Sequence, residues 1–168
     1  MFFLRFIFIF FLFQNYAFSN DNLNLVVIDL DYIFKHSNAA KKISKVSINK
    51  KEALIKDKKK KESKLENQKN DIMSKKNVLD KKEFEEKVIS HQKDVKEYQV
   101  KINKDLKKVN DEFIEKNIAL KKKIDQLLIE YSKENNIDLI VNKKSIVVSS
   151  TKMDMTKQIL DIINNKIK

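Results

Sequence analysis

Not one of the 168 residues is glycine or proline. A chain with neither has lost its two strongest breakers of regular structure. Long uninterrupted helices become easy, and chain reversals must be made by Asn, Asp and Ser. The same absence removes any glycine-rich loop that could cradle a phosphate. Cysteine is also absent, so disulfides, thiol chemistry and cysteine-ligated metals are excluded. Charged residues make up 36% of the chain, well above the roughly 25% of an average globular protein. Arg5 is the single arginine and every other basic residue is lysine. Lysine is a diffuse positive charge rather than a bidentate fork.

The first residues read as an export signal. Met1 to Arg5 carries one positive charge, Phe6 to Phe13 is an unbroken apolar run, and Ala17-Phe18-Ser19 supplies small residues for cleavage after Ser19. The apolar run falls short of the ~20 residues a membrane-spanning helix needs. Residues 1–19 are therefore expected to be a cleavable signal peptide, and 20–168 one exported domain.

In that domain, residues 20–24 are polar and expected to fray. Leu25 to Leu30 is short, β-branched and apolar on both parities, which predicts a strand covered on both faces. Asp31 is placed to cap a short helical turn that Ser37 and Asn38 break. From Ala39 to Leu79 the chain reads as a lysine-rich helix with sparse apolar positions at Ile43, Val46, Leu54, Leu65, Ile72 and Leu79. Asp80-Lys81-Lys82-Glu83 has the form of a capping box, with Leu79 and Phe84 as its hydrophobic staple. A second helix is thus expected from Lys81 to Glu134, ~80 Å long. Its stripe of Phe84, Val88, His91, Val95, Tyr98 and Ile102 steps by four and three, and resumes through Leu106, Val109, Phe113, Leu120, Ile124, Leu127 and Tyr131. Ile137–Val141 and Ile146–Ser149 read as two strands joined around Asn142–Ser145. Asp154-Met155-Thr156 opens a last amphipathic helix, with Ile159, Leu160, Ile162, Ile163 and Ile167 on its buried face.

These pieces make a mostly α, α+β chain: a long antiparallel helical hairpin, 39–134 with its tip near 79–81, inserted in a small β-rich head, 20–38 with 135–168. A head that small is marginal alone. Leu25, Val27, Leu139, Val141 and Val147 are its expected core, and association with further copies would cover the surplus apolar surface.

From Lys41 to Glu134 there are 28 lysines against 18 acids, a net +10. Solvated Glu–Lys pairs such as Glu52–Lys56 explain the charge density but not its sign. No catalytic residue, metal site or cofactor is expected. His36 and His91 lie far apart, no carboxylate or histidine cluster has metal spacing, and His91 reads as a packing residue on the seam.

The ordered set of signal, strand, basic helical hairpin, β-hairpin and terminal helix resembles the Skp (OmpH-like) family of periplasmic chaperones. The family-like stretches are Val27-Ile28-Asp29-Leu30-Asp31-Tyr32-Ile33-Phe34-Lys35-His36-Ser37, then Ile137–Val141 with Ile146–Val148, and Asp154-Met155-Thr156. Ser37-Asn38 stands where Ser-Pro is common in the family, and without arginine in the arm an arginine contact to lipopolysaccharide cannot be carried over. The resemblance implies a periplasmic homotrimer with a β-barrel head. Its helical arms would enclose a basic cavity that holds unfolded outer-membrane proteins without ATP. On that reading Lys56, Lys58, Lys60, Lys75 and Lys81 attract the client. Met73, Val78, Leu79 and Phe84 touch it near the tip. The same charge permits weak contact with anionic lipid headgroups. Specific nucleic-acid binding is not expected, although lysine-rich helices bind nucleic acid in a salt-dependent way. The rival reading is a periplasmic coiled-coil structural or adaptor protein whose seam takes a partner helix.

Overall fold

A computed structural model describes residues 23–167; the signal expected over 1–19 lies outside them. The described elements are strand β1 (Leu25–Ile28), helix α1 (Leu30–His36), helix α2 (Asn38–Ser74), helix α3 (Lys81–Glu134), strand β2 (Leu139–Asn142) and helix α4 (Thr156–Lys166). Two 3-10 turns, Lys143–Ser145 and Thr151–Met153, lie between β2 and α4. The architecture is the expected one: a long helical hairpin whose two ends enter a small α+β head.

Each boundary has a local cause. Asp29, not Asp31, caps α1: its carboxylate accepts from Tyr32 N–H at 2.8 Å. The strand therefore stops at Ile28, and Leu30 is already helical. Ser37 ends α1 and starts α2, taking the Ala40 N–H on its hydroxyl at 3.3 Å. α3 begins at Lys81 under the Asp80 cap, which accepts from Glu83 N–H at 2.9 Å. The Glu83 side chain, expected to reach back, instead lies 3.4 Å from Lys87. α3 ends in a Schellman motif. Asn136 takes the left-handed conformation (φ 51°), and Ile137 N–H returns to Ser132 O at 2.9 Å. Glycine is the usual residue there; in a chain without it, asparagine carries the same backbone at lower steric cost than other residues.

The head is organised around β1. β1 and β2 pair in parallel, with Leu25 opposite Leu139 and Ile28 opposite Asn142, so the whole hairpin is the crossover between them. On its other side β1 bridges to Asp154, and Met155 N–H donates to Val27 O at 3.0 Å. Asn24, expected to fray, is anchored: its N–H donates to the Asp138 carboxylate at 2.7 Å and its amide to Asn136 O at 3.0 Å. The core is Val26, Ile28, Ile33, Ile159 and Ile163 packed against Leu120, Ile124, Leu127 and Leu128 of α3. The last helix buries Ile159 and Ile163, with Leu160, Ile162 and Ile167 at its edge.

One expected element is absent among the described residues. Ile146–Ser149 forms no strand. After β2 the chain makes a 3-10 turn, held by the ion pairs Lys143–Asp154 (2.6 Å) and Lys144–Asp31. Ile146 is extended (φ −122°, ψ 133°), but no ladder partner lies beside it. Val147 is 100% and Val148 85% exposed. β-propensity was present; a neighbouring backbone was not.

Asp154 ties these parts together. Its carboxylate accepts from Lys143, from the Thr156 hydroxyl (2.6 Å) and from Thr156 N–H (3.0 Å), while the buried Thr156 oxygen accepts from Asp29 N–H (2.9 Å). The Lys143 hydrogen bond first, then the two from Thr156, lower the Asp154 pKa to about 2. A depressed carboxylate contributes stability that is complete above its unfolded pKa, about 4, and is lost as pH falls through the folded value. Urea unfolding should therefore show Asp154→Asn less stable than the parent at pH 5, with the gap closing between about pH 4 and pH 2. A gap that stays constant over that window would remove the carboxylate from the head's acid response.

Candidate functional site

The described residues gather no group of three or more His, Asp and Glu side chains that could hold a metal, and none of their helices is long and apolar enough to cross a membrane. The surface with chemistry to offer is the hairpin itself.

The seam on α3 packs as its spacing requires. Ile102, Val109, Leu120 and Ile124 are buried, while Phe84, Val88, His91, Val95 and Tyr98 are half-buried. Burial thus weakens from the head toward the tip. On α2, Leu65 is buried and Ile43, Leu54 and Ile72 are half-buried, but Val46, expected on the stripe, is exposed. α2 is polar enough that its contact with α3 is intermittent. Between residues 62–73 of α2 and 88–99 of α3 lies an open groove of about 890 Å³. Leu65, Ile72, Met73, Val88 and Val95 supply its apolar lining. His91 spans the groove floor and donates from Nε2 to the Leu65 backbone carbonyl at 2.8 Å. A carbonyl can only accept, so that nitrogen carries the proton. His91 is a packing residue with a structural hydrogen bond, as its place on the seam implied.

At the tip, α2 ends at Ser74, five residues short of Leu79. Its last turn is closed by Ser74 Oγ donating to Asp71 O at 2.8 Å and by Lys75 pairing with Asp71 at 2.7 Å. Val78 and Leu79 N–H groups then both return to Lys75 O at 3.0 Å. With no glycine to reverse the chain in two residues, the reversal spreads over Lys75–Asp80 and strips Val78 of cover.

The structure divides the sequence-derived residues. Met73, Val78, Leu79 and Phe84 share the tip: Val78 is 82% and Met73 51% exposed, and Leu79 and Phe84 are half-buried. Lys75 and Lys81 sit with them, but face Asp71 and Glu85, at 2.7 Å and 4.0 Å. Lys56, Lys58 and Lys60 form a second group, separated from Met73 by ~20–25 Å of helix. Lys58 approaches Glu62 at 3.6 Å, a solvated pair of the kind expected, while Glu52 and Lys56 do not pair. Such exposed pairs are screened and hold little energy. In the head, Val27 is buried, Leu25 and Val141 are half-buried, and Leu139 and Val147 are exposed in the single protomer.

Two features escaped the sequence reading. The groove depends on where the arms part, which no spacing encodes. The charge asymmetry was readable once helix boundaries were known: α2 carries 12 lysines against 5 acids, net +7, and α3 14 against 12, net +2. Most of the surplus lies on residues 41–61, with 10 lysines against 2 acids. The one ion pair between the arms among the described residues is Lys50–Glu112, and the Lys50 hydrogen bond lowers the Glu112 pKa.

Comparison with known proteins agrees with this architecture. The model of the outer membrane protein (OmpH-like) family matches residues 24–163. A crystal structure of an OmpH-like protein from Caulobacter crescentus CB15, described as a candidate outer membrane chaperone, superposes with a TM-score of 0.80. It covers 87% of this chain and 86% of that one at 12% identity, a likeness of fold. No curated protein matches the sequence.

The Asp80 cap is expected to hold the tip in register. Asp80→Ala should cost about 1 kcal/mol and speed amide exchange at Glu83, whose N–H it accepts, while exchange in α4 stays unchanged. Unaltered exchange at Glu83 would mean that the reversal is set by the arms and not by the cap.

Proposed function

Since the chain belongs to the outer membrane protein (OmpH-like) family, we propose that it acts in the periplasm as an ATP-independent holding chaperone for unfolded outer-membrane proteins. Family membership supports a chaperone role. The observation that carries the specific reading is the arm: a helix of net +7 whose lysines outnumber their available acids, beside an open apolar groove and a bared tip. Lysine stems and heads offer diffuse attraction and modest apolar contact. Neither selects a sequence, and both leave a captured chain mobile. Holding is binding alone, so it requires no nucleotide and no catalytic group.

The attraction is long-ranged, with a screening length of ~8 Å at physiological ionic strength. Changing Lys56, Lys58, Lys60, Lys75 and Lys81 to Glu should leave the hairpin folded by circular dichroism. It should weaken suppression of aggregation of an unfolded outer-membrane protein, and added salt should weaken the parent protein in the same direction. Serine at Met73 and Val78 tests apolar capture separately. Full protection by the lysine variant at low and high salt would make the charge a solvated face and sink the electrostatic mechanism. Protection that depends only on a helical partner added in trans would favour an adaptor role.

The chaperone is proposed to work as a homotrimer, the number following from the family resemblance. Support for assembly through the head comes from Val147 and Val148, bare in the segment after Ile146, and from Leu139, 53% exposed on the edge strand. An unpaired apolar edge is a template for another chain. Native mass spectrometry should find three protomers for the parent. Val147→Asp leaves a lone protomer's packing untouched because that side chain contacts nothing within it, so this variant should stay folded and lose assembly. A trimer that survives Val147→Asp, or a parent of single-protomer mass, would count against the head interface.

A further inference from the structure

A second concavity lies far from the tip, at the root of the arms where α1, α2 and α3 meet. It is an open groove of about 520 Å³, within the ~300–1,000 Å³ range of ligand sites. Phe34, Ala40, Ile48 and Phe113 give it an apolar wall. Ile48 is 51% exposed, an aliphatic side chain that folding leaves in water. Lys35, Lys41 and Lys45 form the rim, and none of them makes an ion pair with a described residue, in contrast to Lys50 one turn further along, which pairs with Glu112. Ser44 and Asn117 add polar groups to the lining. Asn117 commits its amide N–H to Phe113 O at 2.8 Å, which leaves its side-chain oxygen as an acceptor on offer.

We propose that this groove is a docking site for a short extended segment of an unfolded polypeptide in which large apolar side chains alternate with carboxylates. The proposal rests on the holding role argued above and gives that role a defined anchor at the root of the arm. The apolar wall takes the hydrophobic side chain, and the three unpaired ammonium groups take the carboxylates, which makes the charge complementarity specific to anionic segments. A peptide rather than a lipid chain is favoured by the polar lining. Backbone N–H groups can donate to Asn117 Oδ1 and a backbone carbonyl can accept from Ser44, whereas a hydrocarbon tail would leave both without partners. The alternation matches an extended chain, whose successive side chains point to opposite sides.

The test uses the full mature protein and fluorescence anisotropy of a labelled peptide alternating phenylalanine and glutamate. Two control peptides replace the glutamates with glutamine or the phenylalanines with serine. The acidic apolar peptide should bind and both controls should bind more weakly. Lys35→Gln, Lys41→Gln and Lys45→Gln combined should weaken it roughly tenfold, and Ile48→Ser, at an exposed position, several-fold. Removing the same charge elsewhere, by Lys101→Gln, Lys104→Gln and Lys122→Gln, should change it by less than about twofold. Equal loss from the two lysine triples would overturn the proposal in favour of diffuse attraction. Displacement of the peptide by dodecanoate, with no effect of Asn117→Ala, would overturn it in favour of a lipid chain. Aggregation of an intact unfolded outer-membrane protein is followed with the same variants. Protection by the parent without peptide binding at the groove defeats the groove alone; absence of protection by the parent defeats the holding role and the groove together.

Discussion

Everything in this protein hangs from one helix. α3 runs unbroken from Lys81 to Glu134, and its apolar stripe serves two structures at once. Its first half is the arm's seam. Its last turns, at Leu120, Ile124, Leu127 and Leu128, are the floor on which β1, α1 and α4 pack. Its 54 residues span ~80 Å as helix, so one continuous element joins the tip to the head's core. α2 lacks this double role. Its apolar positions, Ile43, Leu54, Leu65 and Ile72, are too sparse to close the seam along its whole length. The tip groove is the direct consequence of pairing a continuous stripe with an interrupted one.

Charge is segregated in the same way. α3 nearly balances its lysines with acids, and several form i,i+4 pairs such as Lys107–Asp111 and Lys121–Asp125. α2 does not, and carries most of the surplus on 41–61. The helix that holds the fold together is electrostatically quiet, while the helix that contributes least to the core is the basic one. Self-repulsion along α2 costs some stability, and α2 can bear it because little core depends on it. A holding surface needs attraction without tight complementarity, and a basic helix loosely paired to a rigid one provides it.

The head uses polar contacts where the chain lacks glycine and proline. Asn136 takes the left-handed turn, Asp29 and Ser37 cap successive helices, and Asp154, Thr156 and Lys143 lock the entry to α4 beside β1. Asp29, Ser37 and Asp154 accept from backbone N–H groups two or three residues on, the property that makes such residues good caps and turns. The described head is nonetheless incomplete as a sheet: two parallel strands and an isolated bridge leave Val147 and Val148 bare.

Local and periodic features were legible in the sequence. The α3 limits, the seam from Phe84 to Tyr131, the Asp80 cap and the buried face of α4 follow from spacing and capping chemistry, which act within a few residues and need no partner. The break at Ser37 follows from the same rules. What tertiary structure decided was every matter of who lies beside whom. Ile146–Ser149 has strand residues but no strand, because a ladder requires a second backbone that this chain does not bring there. β1 and β2 proved parallel because the hairpin between them is a crossover. Lys56–Lys60 and Met73–Phe84 became two groups because a straight helix holds them apart. The two grooves are set by how α2 lies against α1 and α3, which spacing along the chain does not encode. Periodicity states which face a residue is on; only the assembled chain states whether anything arrives to cover it.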